Sequence, residues 1–164
     1  MEYNENINGF MSVEELSWLY KMALEMTSIV EIGSYEGRST YSLLSGCSGT
    51  VHSVDFYDEK FATNDNYLNM VKNLSSFNNL SHLKMLSEEA VELFDDNSID
   101  MIFIDADHVY EAIKKDIEMW LPKTKKLICG HDYNASGHPG VKQAVDEKFQ
   151  DTEIIDTIWF KKLI

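Results

Sequence analysis

The feature that most restricts this chain is the stretch IVEIGSYEGRST at positions 29–40. A short β-branched run ends at a glycine, a polar loop follows, and a second glycine opens a segment with helical spacing. Apolar runs of this length bounded by turn residues read as buried strands. Glycine lets the backbone turn sharply after such a strand and pass close to a ligand. A strand that feeds directly into a helix needs a crossover before the next strand can pair with it, and that is the geometry of a parallel sheet.

The alternation continues along the chain. Ser12 followed by Glu15 has the capping-box pattern, and Leu16, Leu19, Tyr20 and Ala23 give an apolar face, so a helix is expected over 12–26. Strands are expected over 28–32, 50–54, 82–86, 99–104 and 126–130, and helices over 37–44, 66–77, 87–94, 108–120 and 141–149. In 66–77 the apolar side is Tyr67, Met70, Val71 and Leu74. Residues 152–155 and 157–163 read as two strands around Asp156, too close for a crossover and therefore an antiparallel hairpin. The expected fold is a single α/β domain over 1–164, with an N-terminal helix region over 1–27 and a Rossmann-like core over 28–163. That core is a doubly wound, mainly parallel seven-stranded sheet with helices on both faces and the antiparallel hairpin at its C-terminal end.

Composition narrows the partners. The chain is 44% hydrophobic and 26% charged, which argues against disorder, and its formal net charge is −14 with Arg38 as the one arginine. Such a balance repels phosphate backbones and anionic membranes, so general nucleic-acid or membrane binding is not expected. No apolar run approaches the ~18 residues of a membrane span. The opening MEYNENING has neither the basic nor the apolar region of a signal peptide. Cys47 and Cys129 have no metal-type spacing and read as buried thiols of a reducing compartment, so a cytoplasmic location is expected.

In open parallel sheets ligands bind beyond the carboxyl ends of the strands. There the sequence places residues 33–37, Asp55, Ser87 and Glu88, residues 105–108 and residues 131–133. The loop G-S-Y-E-G lacks the middle glycine of the dinucleotide fingerprint, and no P-loop lysine follows it. Glu31 and Glu36 stand against Arg38 alone, a balance that suits a cationic ligand better than a pyrophosphate.

The pattern Glu31-Ile-Gly33-x-x-x-Gly37, followed by Asp55 at the end of the next strand, resembles the cofactor site of class I S-adenosylmethionine-dependent methyltransferases. The resemblance continues through Phe103-Ile-Asp105-Ala-Asp107-His108-x-Tyr110, Asp116-Ile117, Trp120-Leu121-Pro122, Gly130-His131-Asp132-Tyr133 and Gly140-Val141-Lys142-x-Ala144-Val145-Asp146. This ordered set is similar to the small stand-alone catechol and caffeoyl-coenzyme A O-methyltransferases. It implies that Glu31, Gly33 and Gly37 hold the methionine part of S-adenosylmethionine, with Ser34, Tyr35, Ser39 and Thr40 as further contacts. It implies that Asp55 accepts from the ribose hydroxyls and that Ser87 and Glu88 lie against the adenine.

In the metal-dependent members, an aspartate after the fourth strand and an Asp-Asn pair after the fifth hold magnesium. Asp105 and Asp132 match the aspartates, while Tyr133 stands where the asparagine belongs. His131 is the substitute ligand, which favours manganese or zinc over magnesium; Asn134, one position late, is another. His108 matches a catalytic lysine, and an ordinary imidazole there would act as general base near neutral pH. Asp107 also suits a helix cap, His138 reads as a loop residue over the pocket mouth, and His52 and His82 read as structural. Lys123-Thr-Lys-Lys126 replaces the usual glycine pair before the fifth strand.

The expected activity is methyl transfer to a hydroxyl of a small or medium-sized molecule, with a divalent metal as a further candidate cofactor. The alternatives are a metal-independent N- or C-methyltransferase and a methyltransferase-like binding protein without turnover. With one helix ahead of the first strand, the acceptor side is expected to be an uncapped mouth, which a homodimer would complete.

Overall fold

The computed structural model describes residues 2–58 and 62–163. Its strands are β1 (Ser28–Ile32), β2 (Thr50–Val54), β3 (Leu80–Leu83), β4 (Ile99–Ile104), β5 (Thr124–Gly130), β6 (Glu153–Ile155) and β7 (Ile158–Lys162). They form one sheet in the order β3-β2-β1-β4-β5-β7-β6. The first five pair in parallel, whereas β7 runs antiparallel to both β5 and β6. The order reverses between β1 and β4, so the crevice opens where the ends of these two strands separate.

β4 shows why the sheet sits between two helical layers. All six of its residues are buried. Met101 and Phe103 point into the layer with Leu16 and Leu19 of α1 (Val13–Ala23) and Leu43 of α2 (Arg38–Gly46). Ile102 and Ile104 point the other way, against Ile113, Ile117 and Trp120 of α5 (Tyr110–Trp120) and Val141 and Val145 of α6 (Pro139–Lys148). Full burial of one such side chain contributes about 1.5–3 kcal/mol, which fixes the strand's depth and register. Cys47 and Cys129 are buried and free, and no helix among the described residues is long and apolar enough to cross a membrane.

Several boundaries differ from expectation for local reasons. α3 (Asn64–Asn73) begins two residues early because Thr63 and Asn66 form a capping box. Its Met70 is buried, but Val71 is exposed rather than packed. β3 ends at Leu83, not at residue 86, because its register against β2 pairs Val51 with Leu80 and Val54 with Leu83. The shortening releases Met85 and Leu86 into the crevice, ahead of the short helix α4 (Ser87–Ala90). α6 starts at Pro139, whose missing N–H costs nothing in the first helical turn. α5 starts at Tyr110 with Val109 as its N-cap, so Asp107 lies two residues outside the cap; its Oδ1 accepts from the Val109 N–H at 3.0 Å.

Candidate active site

The carboxyl ends of β1, β2, β4 and β5 border a cavity of about 930 Å³. Its floor depends on Gly33. With φ at +87°, a Cβ there would lie 2.1 Å from the Asp105 carbonyl oxygen, so only glycine lets the β1 and β4 ends run this close. Gly37 is the N-cap of α2 with the same φ. Between them Tyr35 holds a left-handed φ of +48°, a conformation that non-glycine residues rarely adopt and that concentrates at binding loops.

Two acids pin this loop. Asp55 Oδ2 accepts from the Ser34 and Tyr35 amides at 2.9 Å each, and its Oδ1 accepts from the Tyr57 amide at 3.2 Å. Glu31 stands behind the wall: its carboxylate accepts from Ser39 Oγ and Thr40 Oγ1, both at 2.5 Å. Its burial, together with the charges of Asp105 and Asp55, outweighs those hydrogen bonds and pushes its pKa up to about 8. Glu31 therefore ties the end of β1 to α2, and the cavity-lining set contains its partner Ser39 rather than Glu31 itself.

The mouth is not uncapped. Residues 8–11 fold back along it, and Asn8, Gly9, Phe10 and Met11 line the cavity. Arg38 holds this segment by donating to the carbonyls of Glu5 at 2.9 Å, Ile7 at 2.8 Å and Met11 at 3.1 Å. The chain's one guanidinium is thus committed to backbone carbonyls.

At the opposite end four predicted residues converge. His108 Nε2 is 2.8 Å from Asp132 Oδ2 and 3.7 Å from Asp105 Oδ1. His131 Nδ1 is 3.5 Å from Asp105 Oδ1 and 3.4 Å from Asp132 Oδ2. Asp132 reaches inward from a left-handed φ of +63° at the end of β5. The other nitrogen of His131 meets Glu15 Oε1 at 3.1 Å, an oxygen that also accepts from the Thr157 amide and hydroxyl. Ser12–Glu15 is a capping box, as expected; the sequence carried no sign that this buried glutamate also anchors His131.

The charges follow from these contacts. Asp105 and Asp132 raise His108 to about 9 against its partial burial, so the ordinary imidazole expected there carries a proton in the ligand-free cluster. Burial opposes the charge on His131, but Asp105, Asp132 and Glu15 together raise it to about 12. Burial would raise Glu15, yet hydrogen bonds from His131, Thr157 and Ser12 hold it near 2. Asp132 and Asp105 are likewise held below the usual range by the two histidines despite burial. His138 lies where a loop over the mouth was expected, its ring 4.2 Å from that of His108. Tyr133, in the place of the family's asparagine, donates to Asp146, and Asn134 is exposed and absent from the cavity lining.

Ser87 and Glu88 line a third stretch of the cavity. Ser87 Oγ accepts from Trp120 Nε1 at 2.9 Å and donates to Asp116 Oδ1 at 2.6 Å. Glu88 pairs with Lys115 at 3.2 Å. Asp116, to which the sequence motif gave no role of its own, is a buried member of the same wall.

Comparison with known proteins agrees with this geometry. A family model described as a methyltransferase domain matches residues 30–133. The uncharacterized protein y4gI of Sinorhizobium fredii is 28% identical over an alignment of 139 residues that covers 74% of this chain, and the chain spans only 14% of that protein's length. A candidate caffeoyl-CoA O-methyltransferase of Staphylococcus aureus superposes with a TM-score of 0.73 at 19% identity, covering 94% of this chain and 85% of that one. An O-methyltransferase of Bacillus cereus in complex with S-adenosylhomocysteine gives 0.71 at 18% identity over 94% and 83% of the two chains. A candidate rRNA methylase of Clostridium thermocellum gives 0.67 at 13% over 94% and 100%. The sheet order, the glycine loop and the family match agree: the chain belongs to the S-adenosylmethionine-dependent methyltransferase-domain family.

Proposed function

We propose that this chain transfers a methyl group from S-adenosylmethionine to a hydroxyl of a small or medium-sized molecule. The observation that carries the reading is continuity: one cavity joins the glycine loop to the Asp105–His108–His131–Asp132 cluster. The cofactor fits the residues present. Gly33 keeps the β1 and β4 ends together at the cavity floor without a side chain, the walls are acidic, and Arg38 is turned to backbone carbonyls. The methionine end lies against Gly33, Ser34 and Tyr35, the ribose beside Asp55, and the adenine beside Ser87 and Glu88.

The donor set also fits a divalent cation. Ligand atoms of Asp105, His131 and Asp132 lie within 4.8 Å of one another. His108 Nε2 is shielded from solvent and makes no directional hydrogen bond, although a carboxylate stands beside it. Mixed nitrogen and oxygen donors favour manganese or zinc over magnesium. A cation held by these residues supplies a lowered pKa for an acceptor hydroxyl.

The rest is done by the chain's own groups. Because His108 carries a proton in the ligand-free cluster, only its neutral fraction, which grows as pH rises towards about 9, accepts the hydroxyl proton at Nε2, and Asp132 Oδ2 stabilises the resulting imidazolium. The alkoxide attacks the methyl carbon as the carbon–sulfur bond breaks. Ether, S-adenosylhomocysteine and one proton leave. Holding oxygen, carbon and sulfur in line accounts for much of the acceleration, an effect that reaches roughly 7–11 kcal/mol in favourable cases.

A metal-independent transfer is the second reading. The observation behind it is His131, whose positive charge already stands between Asp105 and Asp132 from a fixed position on Glu15. Calorimetry with S-adenosylhomocysteine tests the first step, and transfer of labelled methyl to a panel of hydroxylated acceptors tests the second. Micromolar cofactor binding and metal-stimulated transfer are expected. Absence of cofactor binding at millimolar concentration sinks the reading, and full activity after chelation selects the metal-independent form.

A further inference from the structure

We infer that Asp116 is the residue that selects adenine, by accepting a hydrogen bond from its exocyclic amine at Oδ2. The inference rests on the cofactor reading above and concerns a side chain that the proposed chemistry does not use. Asp116 is 7% exposed, on the inner face of α5, and lines the cavity.

The polarity around it is fixed. An indole N–H can only donate, so Trp120 Nε1 makes Ser87 Oγ an acceptor, and the serine's own proton points at Asp116 Oδ1. Asp116 Oδ2 has no hydrogen-bond partner among the described residues. The nearby cation is taken, since Lys115 pairs with Glu88. A carboxylate with a single neutral donor keeps an acceptor oxygen open to the cavity, where a ligand's N–H can fill it.

The surroundings suit a flat ring that carries such a donor. Met85, Leu86, Ala106 and Ala112 provide apolar wall, and Ala112 lies one helical turn before Asp116. A 6-amino purine presents N–H to the free carboxylate oxygen. A 6-oxo purine presents an oxygen there, and the two acceptors repel. Glu88, the other acid of this wall, has its carboxylate engaged by Lys115, so the discrimination falls to Asp116.

Calorimetric titration of the full chain with S-adenosyl-L-homocysteine and S-inosyl-L-homocysteine tests this. The wild type should bind the adenosyl ligand at least about tenfold more tightly, the lower end for one hydrogen bond to a charged group. In Asp116→Asn the side-chain amide can donate to the 6-oxo group, so the preference should shrink to about threefold or invert. Ser87→Ala serves where Asp116→Asn fails to fold. It frees the carboxylate to turn; both ligands lose the serine's own contact, and the adenosyl ligand should weaken several-fold more than the inosyl ligand. A preference that persists in Asp116→Asn, or an equal loss of both ligands in Ser87→Ala, overturns the assignment while the cofactor reading stands. A wild type that binds neither ligand overturns both.

Discussion

Glu31 gives the sharpest quantitative test of how this site is built. Its carboxyl is fully buried, its two hydrogen-bond donors are neutral hydroxyls, and burial raises its pKa from 4.5 to about 8. A carboxyl held above its unfolded value keeps its proton in the folded state. Its contribution to stability is therefore complete below about 4.5 and is lost as pH rises towards about 8. At about 1.4 kcal/mol per unit, the loss between pH ~5 and pH ~8 comes to roughly 3 kcal/mol. Glu31→Gln removes the titration, and either hydroxyl partner can reverse its hydrogen bond to accept from the amide. Urea unfolding of both proteins at the two pH values isolates the effect, because titrating groups that do not interact with Glu31 cancel in the difference and Asp105 and Asp55, which do, enter only through that coupling. The variant's stability relative to wild type should rise by roughly 3 kcal/mol between the two conditions. A difference that does not change with pH would refute the claim that this residue is a buried, protonated tie between β1 and α2.

Gly33→Ala forces a Cβ to 2.1 Å from the Asp105 carbonyl at a φ of +87°. It should cost more than about 3 kcal/mol in thermal or urea unfolding and abolish S-adenosylhomocysteine binding. Arg38→Ala removes the donors to three carbonyls of the N-terminal segment. Hydrogen exchange of residues 5–11 should speed up while that of β4 stays unchanged, with a stability loss of roughly 1–3 kcal/mol. Glu15→Gln loosens the ring of His131, and divalent-metal affinity read by manganese paramagnetic resonance should fall by about 10–100-fold. Unchanged affinity would show that His131 does not ligate.

Legibility from sequence depended on how far each cause reaches. β1, β2 and β4 were readable to the residue because their signals are local: apolar runs cut off by glycine or aspartate. β3 was not, since its limits come from pairing with β2, and an exposed Val71 was not, since only packing separates it from Met70. The same holds at the site. The carboxylates at strand ends could be placed, because parallel topology gathers those ends whatever the side chains do. Their charge states could not, as these depend on distances across the crevice.

Glu15 shows where local reading stops. Its role as a helix cap is written three residues away in Ser12, and one oxygen, Oε2, performs it. The other oxygen meets His131, 116 residues further along the chain. A capping box predicts a half-exposed acid at the start of a helix, whereas this one is 2% exposed. Such burial is tolerable only because four donors converge on the carboxylate. A cap that needs this much satisfaction has a second task. In this fold the task is to carry α1 into the site, so that the helix ahead of the sheet sets the orientation of a ring between the two aspartates.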